Sequence, residues 1–198
     1  MGLDLSYIDG QTPLDEDEKE GLLIPTITTR EELDEFEQLH IEDAVNWTKK
    51  RSFNLTEILT EDFVKELHRR MFEGVWKWAG KFRTSNKNLG VDKHQIPIEL
   101  RTLLIDCRYW IDHKVFSDDE TAVRFSHRIV SIHPFANGNG RHSRLIADIL
   151  VSNGLGQSTF TWGSISLTAQ SAARSIYLKA LHEADRGNYL PLIEFSRH

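Results

Sequence analysis

Residues 117–150 read SDDETAVRFSHRIVSIHPFANGNGRHSRLIADIL, and this stretch predicts two helices joined by a short glycine-containing loop. Ser117 begins the first helix, because a serine followed three residues later by Glu120 is a capping-box pattern. That helix must end near His133, since Pro134 disfavours helical geometry at the residue before it. Apolar residues return at helical spacing after the glycines, which predicts the second helix.

The segments on either side are also mostly helical in pattern. Amphipathic spacing, N-cap residues and glycine or proline ends predict helices over 31–51, 60–74, 99–113, about 168–185 and 189–196. The exception is 83–97 (RTSNKNLGVDKHQIP), which is polar and has no helical period. We call this segment the flap and predict a loop or short hairpin. The expected fold is therefore an all-α bundle with a small β-hairpin flap next to the glycine loop.

Length and composition narrow the class of protein. The chain has 198 residues, which suggests one domain with an N-terminal extension, and it has a single cysteine. One cysteine excludes a disulfide framework and a cysteine-based zinc site. The first residues show no signal-peptide pattern, and no apolar run approaches the roughly 20 residues of a membrane span. We expect a soluble cytoplasmic protein without membrane partners.

Charge is distributed unevenly along the chain. Residues 1–43 hold 14 acidic and 2 basic residues, whereas residues 44–198 hold 16 acidic and 22 basic residues. A basic body suits anionic ligands such as nucleotide phosphates. Nucleic acid is a poor candidate, because no helix shows a dense Lys/Arg stripe and no DNA-binding motif is present. The acidic N-terminal region is either a solvated surface or a regulatory element.

The glycine loop combines the groups that phosphate chemistry needs. Gly138-Asn139-Gly140 opens a helix, so free backbone N–H groups and the positive dipole end point into the turn. Arg141 and Arg144 share one face of that helix and could bind adjacent phosphates. His133 lies just upstream, where a histidine of near-neutral pKa could take a proton from a hydroxyl. Taken alone, a histidine at a helix end is often only a cap, a Gly-Asn-Gly turn only a connection, and two arginines on a helix only solvated charges. Together, in this order and spacing, they predict phosphoryl or nucleotidyl transfer.

The segment resembles the signature of the Fic-domain (Fido) family, H-x-F-x-[DE]-G-N-G-R-x-x-R. The matching residues are His133, Phe135, Gly138, Asn139, Gly140, Arg141 and Arg144. Two further segments, 78–83 and 180–191, are similar to the region before the Fic active-site hairpin and to the closing helix pair. The resemblance covers about 50–198. It predicts an acidic N-terminal region over 1–50, a candidate regulatory element similar to that of a subfamily called mobile mystery protein B, followed by a Fic domain over 51–198.

The resemblance implies transfer of AMP from ATP to a Ser, Thr or Tyr hydroxyl of a target protein, with Mg²⁺ on the phosphates. His133 would be the base, and Phe135 would anchor the loop. The other implied roles, carried over by position, are the anion hole (Gly138, Asn139, Gly140), the phosphate ligands (Arg141, Arg144), the adenine pocket (Tyr177, Asp185) and the target-docking flap residues (Leu89, Gly90, Val91).

Asn137 is the one departure from the signature, because the family has an acid there that holds Mg²⁺. An amide offers one neutral oxygen to a cation that prefers carboxylates. Three alternatives follow. The enzyme uses Mg²⁺ through the amide and water, it uses another phosphate-containing donor, or it binds nucleotide without turnover as a regulatory or toxin-like module.

Regulation and group specificity give further hypotheses. Many Fic proteins carry an inhibitory helix, [ST]-x-x-x-E-[GN]. Glu20-Gly21 matches only its last two positions, and Thr12-x-x-x-Glu16 matches only its first part, because Asp17 follows. Glu20 is thus the candidate inhibitory residue, acting through Arg144. Fic relatives of the Doc type act as kinases, but their motif reads ANKR where this chain has Gly138-Asn-Gly-Arg141. A regulatory partner protein and a homodimer are additional hypotheses.

Overall fold

The computed structural model describes residues 12–163 and 172–198, and these residues fold mainly into helices. In chain order the helices are α1 (Glu16–Lys19), α2 (Arg30–Lys49), α3 (Leu55–Ile58), α4 (Glu61–Phe72), α5 (Ile96–Asp112), α6 (Asp118–Ile132), α7 (Asn139–Ile149), a π-helical turn (Leu150–Gly154), α8 (Ala172–Asp185) and α9 (Leu190–Arg197). The predicted all-α class is confirmed. The first residues of the helix predicted from 168 lie outside the described residues.

Local sequence explains where these helices begin. Thr29, Asn54, Thr60 and Ser117 each accept a hydrogen bond from the backbone N–H three residues later, which satisfies a donor that the helix leaves free. The helix α5 begins three residues earlier than predicted, because Pro97 fits the first turn, where no backbone N–H is required.

The helices pack around one apolar core. The helix α6 packs against α5 and α7, α2 against α4, and α8 against α9. Large side chains that are fully buried include Trp76, Phe72, Phe125, Phe135, Leu67 and Met71. Leu14 and Leu33 from the acidic N-terminal region belong to the same buried cluster. From residue 12 onward that region is therefore packed on the body, and Thr12 lies against the glycine loop.

The flap is a loop and not the small β-hairpin that the sequence led us to expect. Residues 83–95 form no strand, and the bridge Leu22–Trp76 is the one β-type pairing among the described residues. The cause is Arg83, which is 5% exposed and donates hydrogen bonds to the carbonyl groups of Ser85 and Val91. Carbonyl groups bound by a guanidinium are not available for pairing across strands.

No helix within 12–163 and 172–198 is long and apolar enough to cross a bilayer. Cys107 lies in the core on α5, where burial raises the pKa of its thiol to about 12. The thiol is therefore a packing group and not a nucleophile at neutral pH.

Candidate active site

The motif loop (residues 133–138) begins with a strained backbone turn. His133 caps the C-terminus of α6 with φ 56° and ψ 59°, a left-handed conformation that costs a residue other than glycine roughly 1–2 kcal/mol. Arg83 holds this turn from both sides. Its Nε donates to the His133 carbonyl at 2.7 Å, and its backbone N–H donates to the Pro134 carbonyl at 2.9 Å.

The hydrogen bonds of the His133 ring define its tautomer. Nδ1 lies 3.2 Å from the Val130 carbonyl oxygen, which can only accept, so Nδ1 carries the hydrogen. Nε2 of the neutral ring is then an acceptor, and it lies 2.7 Å from the Thr12 hydroxyl oxygen. The Thr12 hydroxyl therefore donates to His133. This is the arrangement that a general base and its substrate hydroxyl require.

The environment of His133 keeps the ring neutral. Burial lowers its pKa to about 4, the hydrogen bond to Val130 opposes this, and the nearby cations Arg83 and Lys87 lower the pKa further. At neutral pH the ring has therefore no proton on Nε2 and can accept one. The low pKa means that the acquired proton leaves readily at the end of a reaction.

The start of α7 forms a cradle of backbone donors. Gly138 is the N-cap with φ 76°, and a Cβ there would lie 2.4 Å from the Phe72 ring, so only glycine fits. The backbone N–H groups of Asn139, Gly140 and Arg141 have no acceptor among the described residues. Three free donors at a positive helix end form a site for an anion such as phosphate.

Side chains of the motif make the cradle rigid. The Asn139 amide accepts from the Phe135 N–H at 3.0 Å and donates to its carbonyl at 2.9 Å. The Phe135 ring is fully buried and stacks on His68 with 3.7 Å between ring centroids. His68 in turn accepts from the Gly80 N–H and donates to the Asn137 carbonyl. The side chain of Asn139 is thus structural, and its contribution to anion binding comes from its backbone.

The two arginines of the motif have different partners. Arg141 forms a 2.7 Å ion pair with Glu37 of α2, a carboxylate only 3% exposed that also accepts from the Trp76 indole at 2.6 Å. The Arg144 guanidinium lies 5.1 Å from the ring centroid of Tyr177. Glu20 is exposed and forms no ion pair within the described part of the chain. Glu37, which the sequence patterns did not single out, is therefore the carboxylate paired with a motif arginine.

Asn137 faces backbone groups instead of a metal-binding cluster. Its Oδ1 accepts from the Gly138 N–H at 2.7 Å, and its Nδ2 donates to the Thr12 carbonyl at 3.2 Å. Within 12–163 and 172–198, no three His, Cys, Asp or Glu side chains converge on a common point. Asn137 would therefore offer Mg²⁺ a single neutral oxygen, and that oxygen already accepts a hydrogen bond.

The flap lies directly against His133. Val91 donates from its backbone N–H to the Ile132 carbonyl at 3.3 Å, and Gly90 has φ 97°. A Cβ on Gly90 would lie 2.5 Å from the Cβ of His133, so this approach requires glycine. Leu89 beside it is exposed. The flap residues Leu89, Gly90 and Val91 thus border the site.

The site opens into a cleft of about 1220 Å³ between α2, the motif and α8. Tyr177 and Asp185 both line this cleft. Asp185 accepts from His127 Nε2 at 2.9 Å, and the Tyr189 hydroxyl lies 3.2 Å from His127 Nδ1. The far wall of the cleft thus carries aromatic and carboxylate groups that could contact a nucleoside.

Residues 12–20, which we call the strap, lie at the mouth of this site. Lys87 of the flap is only 3% exposed and donates to Asp15, Glu18 and the Pro13 carbonyl, so each of its three N–H groups has an acceptor. Sequence patterns gave no specific signal for Lys87 or Glu37, for which the acidic composition of the N-terminal region opposite a basic body was the one available indication. Thr12 was indicated only as the first position of a partial match to the inhibitory motif.

The comparison with known proteins agrees with this geometry. Residues 58–151 match the model of the Fic/DOC family. This match spans 94 of the 198 residues, a little under half of the chain, and that part of the chain is similar to the Fic/DOC family. The matched residues include α4, the flap, α5, α6 and the motif through α7.

Relatives by sequence are named protein adenylyltransferase Fic. That of Aedes aegypti is 27% identical over 163 residues, and that of Nematostella vectensis is 24% identical over 167 residues. These alignments cover 80% and 82% of this chain but only 31% and 37% of the relatives. The chain thus spans about a third of the length of these proteins.

Solved structures share the fold at low sequence identity. BepC of Bartonella tribocorum, solved with bound AMPPNP, aligns with a TM-score of 0.68 and 18% identity over 92% of this chain and 97% of that one. Fic-1 of C. elegans aligns with a TM-score of 0.65 and 21% identity over 90% of this chain and 51% of that one. The helical bundle described above is therefore the Fic fold.

Proposed function

We propose that this chain transfers the AMP group of ATP to a hydroxyl side chain of a protein. The relatives named protein adenylyltransferase support this activity, and similar Fic domains were solved with AMPPNP or ADP. One observation carries the proposal. The neutral ring of His133 accepts a hydroxyl hydrogen bond at 2.7 Å, next to unpaired N–H groups at the start of α7.

In the proposed reaction the acceptor oxygen attacks the α-phosphorus of ATP. The bond from that phosphorus to the bridging oxygen breaks, pyrophosphate leaves, and His133 Nε2 takes the proton of the hydroxyl. The free N–H groups of Asn139, Gly140 and Arg141 would stabilise the charge that develops on the α-phosphate oxygens. Such a base contributes about 10²–10⁴-fold to a rate.

The remaining predicted site residues receive their roles within this proposal. Arg141 and Arg144 would bind the β- and γ-phosphates, and Tyr177 with Asp185 would border the nucleoside. The flap would hold the target backbone beside His133. Their positions around one cleft support this set of roles.

Magnesium enters the proposal only with the nucleotide. Asn137 offers one neutral oxygen, and that oxygen already accepts from the Gly138 N–H. Mg²⁺ would therefore be bound mainly by the phosphates of ATP and by water, both of which are oxygen ligands that this ion accepts. We assign no step of the transfer to it.

We further propose that residues 1–50 regulate a Fic domain formed by 51–198. The support is that Glu37 occupies Arg141 and that Thr12 occupies the acceptor position at His133. Both contacts must be released before ATP phosphates and a foreign hydroxyl can bind. A regulatory partner that binds the N-terminal region, or a homodimer, could supply that release.

The test is transfer of radioactivity from ATP to protein. The wild-type chain is incubated with a host lysate and ATP labelled on the α-phosphate, with and without Mg²⁺. A parallel reaction uses ATP labelled on the γ-phosphate. We expect label from the α-position only, and none with His133→Ala. Label from the γ-position would instead indicate a kinase, as in Doc-type relatives.

A second candidate function is a nucleotide-binding module without turnover. Asn137 favours it, because the family pattern has an acid at this position. Two results together would support this candidate and contradict AMP transfer. Calorimetry would detect ATP binding, and no protein in any reaction would carry label from the α-phosphate.

A further inference from the structure

The strap holds a hydroxyl in the acceptor position of the proposed reaction. The oxygen of Thr12 lies 2.7 Å from Nε2 of His133, and the residue is only 6% exposed. The tautomer set by Val130 leaves Nε2 as the acceptor of this hydrogen bond. Thr12 thus already has the contact that an attacking hydroxyl needs before its proton is removed.

Two side chains of the body, those of Asn137 and Lys87, hold the chain at Thr12 in this place. Asn137 donates from its side chain to the Thr12 carbonyl at 3.2 Å. Lys87 binds the next carbonyl, that of Pro13, at 3.2 Å and the carboxylate of Asp15 at 2.9 Å. The backbone on the C-terminal side of Thr12 is therefore anchored to the body. A side chain held so closely has lost the freedom that a diffusing target would still have to lose.

The cradle for the phosphate lies beside the same hydroxyl. Thr12, His133 and the residues at the start of α7 line one cleft. Within residues 12–163 and 172–198, the backbone N–H groups of Asn139, Gly140 and Arg141 donate to no acceptor. An α-phosphate bound there would lie next to both the base and the Thr12 oxygen.

We propose that Thr12 is an acceptor of AMP in cis, so that the chain modifies its own strap. This inference rests on the proposed AMP transfer. The Thr12 oxygen forms a bond to the α-phosphorus of ATP, the bond to pyrophosphate breaks, and the hydroxyl proton moves to His133 Nε2. The products are a phosphodiester between Thr12 and AMP, and free pyrophosphate.

The modification changes what the strap can do. The Thr12 oxygen of the product has no proton left to donate to His133, and the added group is bulky and anionic. The contact that seats the strap is therefore lost in the product. A foreign hydroxyl can reach His133 only when the strap has left, so self-modification precedes or competes with modification of a target.

Trypsin makes the site directly measurable. The first lysine or arginine of the sequence is Lys19, so digestion releases peptide 1–19, whose hydroxyl side chains are Ser6, Tyr7 and Thr12. The full-length chain is incubated with ATP and Mg²⁺ in the absence of lysate, digested and fragmented in a mass spectrometer. We expect one AMP group on Thr12. An AMP group on Ser6 or Tyr7 only would overturn the proposal.

Matched variants separate the roles of the residues. Thr12→Val keeps the shape without the hydroxyl and should reduce label on peptide 1–19 to the level of His133→Ala. Thr12→Ser keeps a hydroxyl and should retain label. Thr26→Val removes an exposed hydroxyl further along the same region and should leave the label unchanged. Full self-labelling of Thr12→Val would contradict the proposal.

Dilution and mixing test whether the transfer is intramolecular. In cis, the first-order rate of self-labelling does not depend on protein concentration. Active Thr12→Val mixed with inactive His133→Ala, which retains Thr12, should leave the inactive chain unlabelled. Rates that rise with concentration, or label on the inactive chain, would refute transfer in cis.

The outcomes also separate this inference from the proposed function. Label on lysate proteins but none on Thr12 removes the inference and keeps AMP transfer. No α-label on any protein removes both.

Discussion

Glu37→Gln should strengthen ATP binding, because Glu37 occupies an arginine that the nucleotide phosphates need. The carboxylate of Glu37 lies 2.7 Å from the Arg141 guanidinium and is only 3% exposed. Glutamine has nearly the same shape and can still accept from the Trp76 indole, which lies 2.6 Å from Glu37. The substitution therefore removes the charge and leaves the packing of α2 in place.

The magnitude follows from the competition between two anions for one cation. Two unit charges about 4 Å apart attract by about 4 kcal/mol at an effective dielectric constant of 20. Arg141 is 29% exposed, so water compensates for part of this attraction when the pair is broken. We expect a net gain of roughly 1–2 kcal/mol in ATP binding, which is about tenfold or somewhat more in affinity.

Isothermal calorimetry with ATP measures this effect, and thermal unfolding checks the fold. Glu35→Gln is the matched control, because it removes an equal charge from an exposed position of α2 that lines the same cleft. It should change ATP affinity less than about twofold, since an exposed charge is screened. Unchanged affinity in a folded Glu37→Gln protein would refute the competition between Glu37 and phosphate for Arg141.

Three further predictions concern pH and the strap. Burial lowers the pKa of His142 to about 4. The neutral ring therefore supports the folded state fully above pH 6.5, and the free energy of unfolding falls by at most about 3 kcal/mol as the pH drops towards 4. His142→Gln should flatten the fall of Tm in this range. Burial raises the pKa of Asp148 to about 7, so its ionisation costs stability as pH rises from 3.8 to 7, up to roughly 4 kcal/mol. Asp148→Asn should therefore exceed the wild type in Tm at pH 8 but not at pH 4. Asn137→Asp removes the donor to the Thr12 carbonyl, and amide hydrogen exchange of residues 14–19 should become faster.

The helices were predictable because their signals are local. Thr60 and Ser117 cap helices as expected, and Pro134 follows the end of α6. The strained turn at His133 could not be predicted, since it depends on Arg83 fifty positions away along the chain. Neither could the loop conformation of the flap, because the same side chain takes the carbonyl groups that a hairpin would pair.

The cradle was predictable for the same reason, whereas its partners were not. Glycines and arginines within seven residues indicate a phosphate site through local geometry alone. Glu37 meets Arg141 only because α2 packs on α4, and nothing in the sequence distinguishes this carboxylate from the other acids of the N-terminal region. Glu20, which has the closer pattern match, is exposed at the end of α1.

Asn137 connects the departure from the family signature to the strap. The position must accept from the Gly138 N–H, which an acid and an amide do equally well. It must also donate to the Thr12 carbonyl, which only the amide can do at neutral pH. An acid at this position would turn a carboxylate towards that carbonyl and repel the strap. Asn137 lacks the charge that a carboxylate would offer to Mg²⁺, and its amide is the group that holds Thr12 against His133.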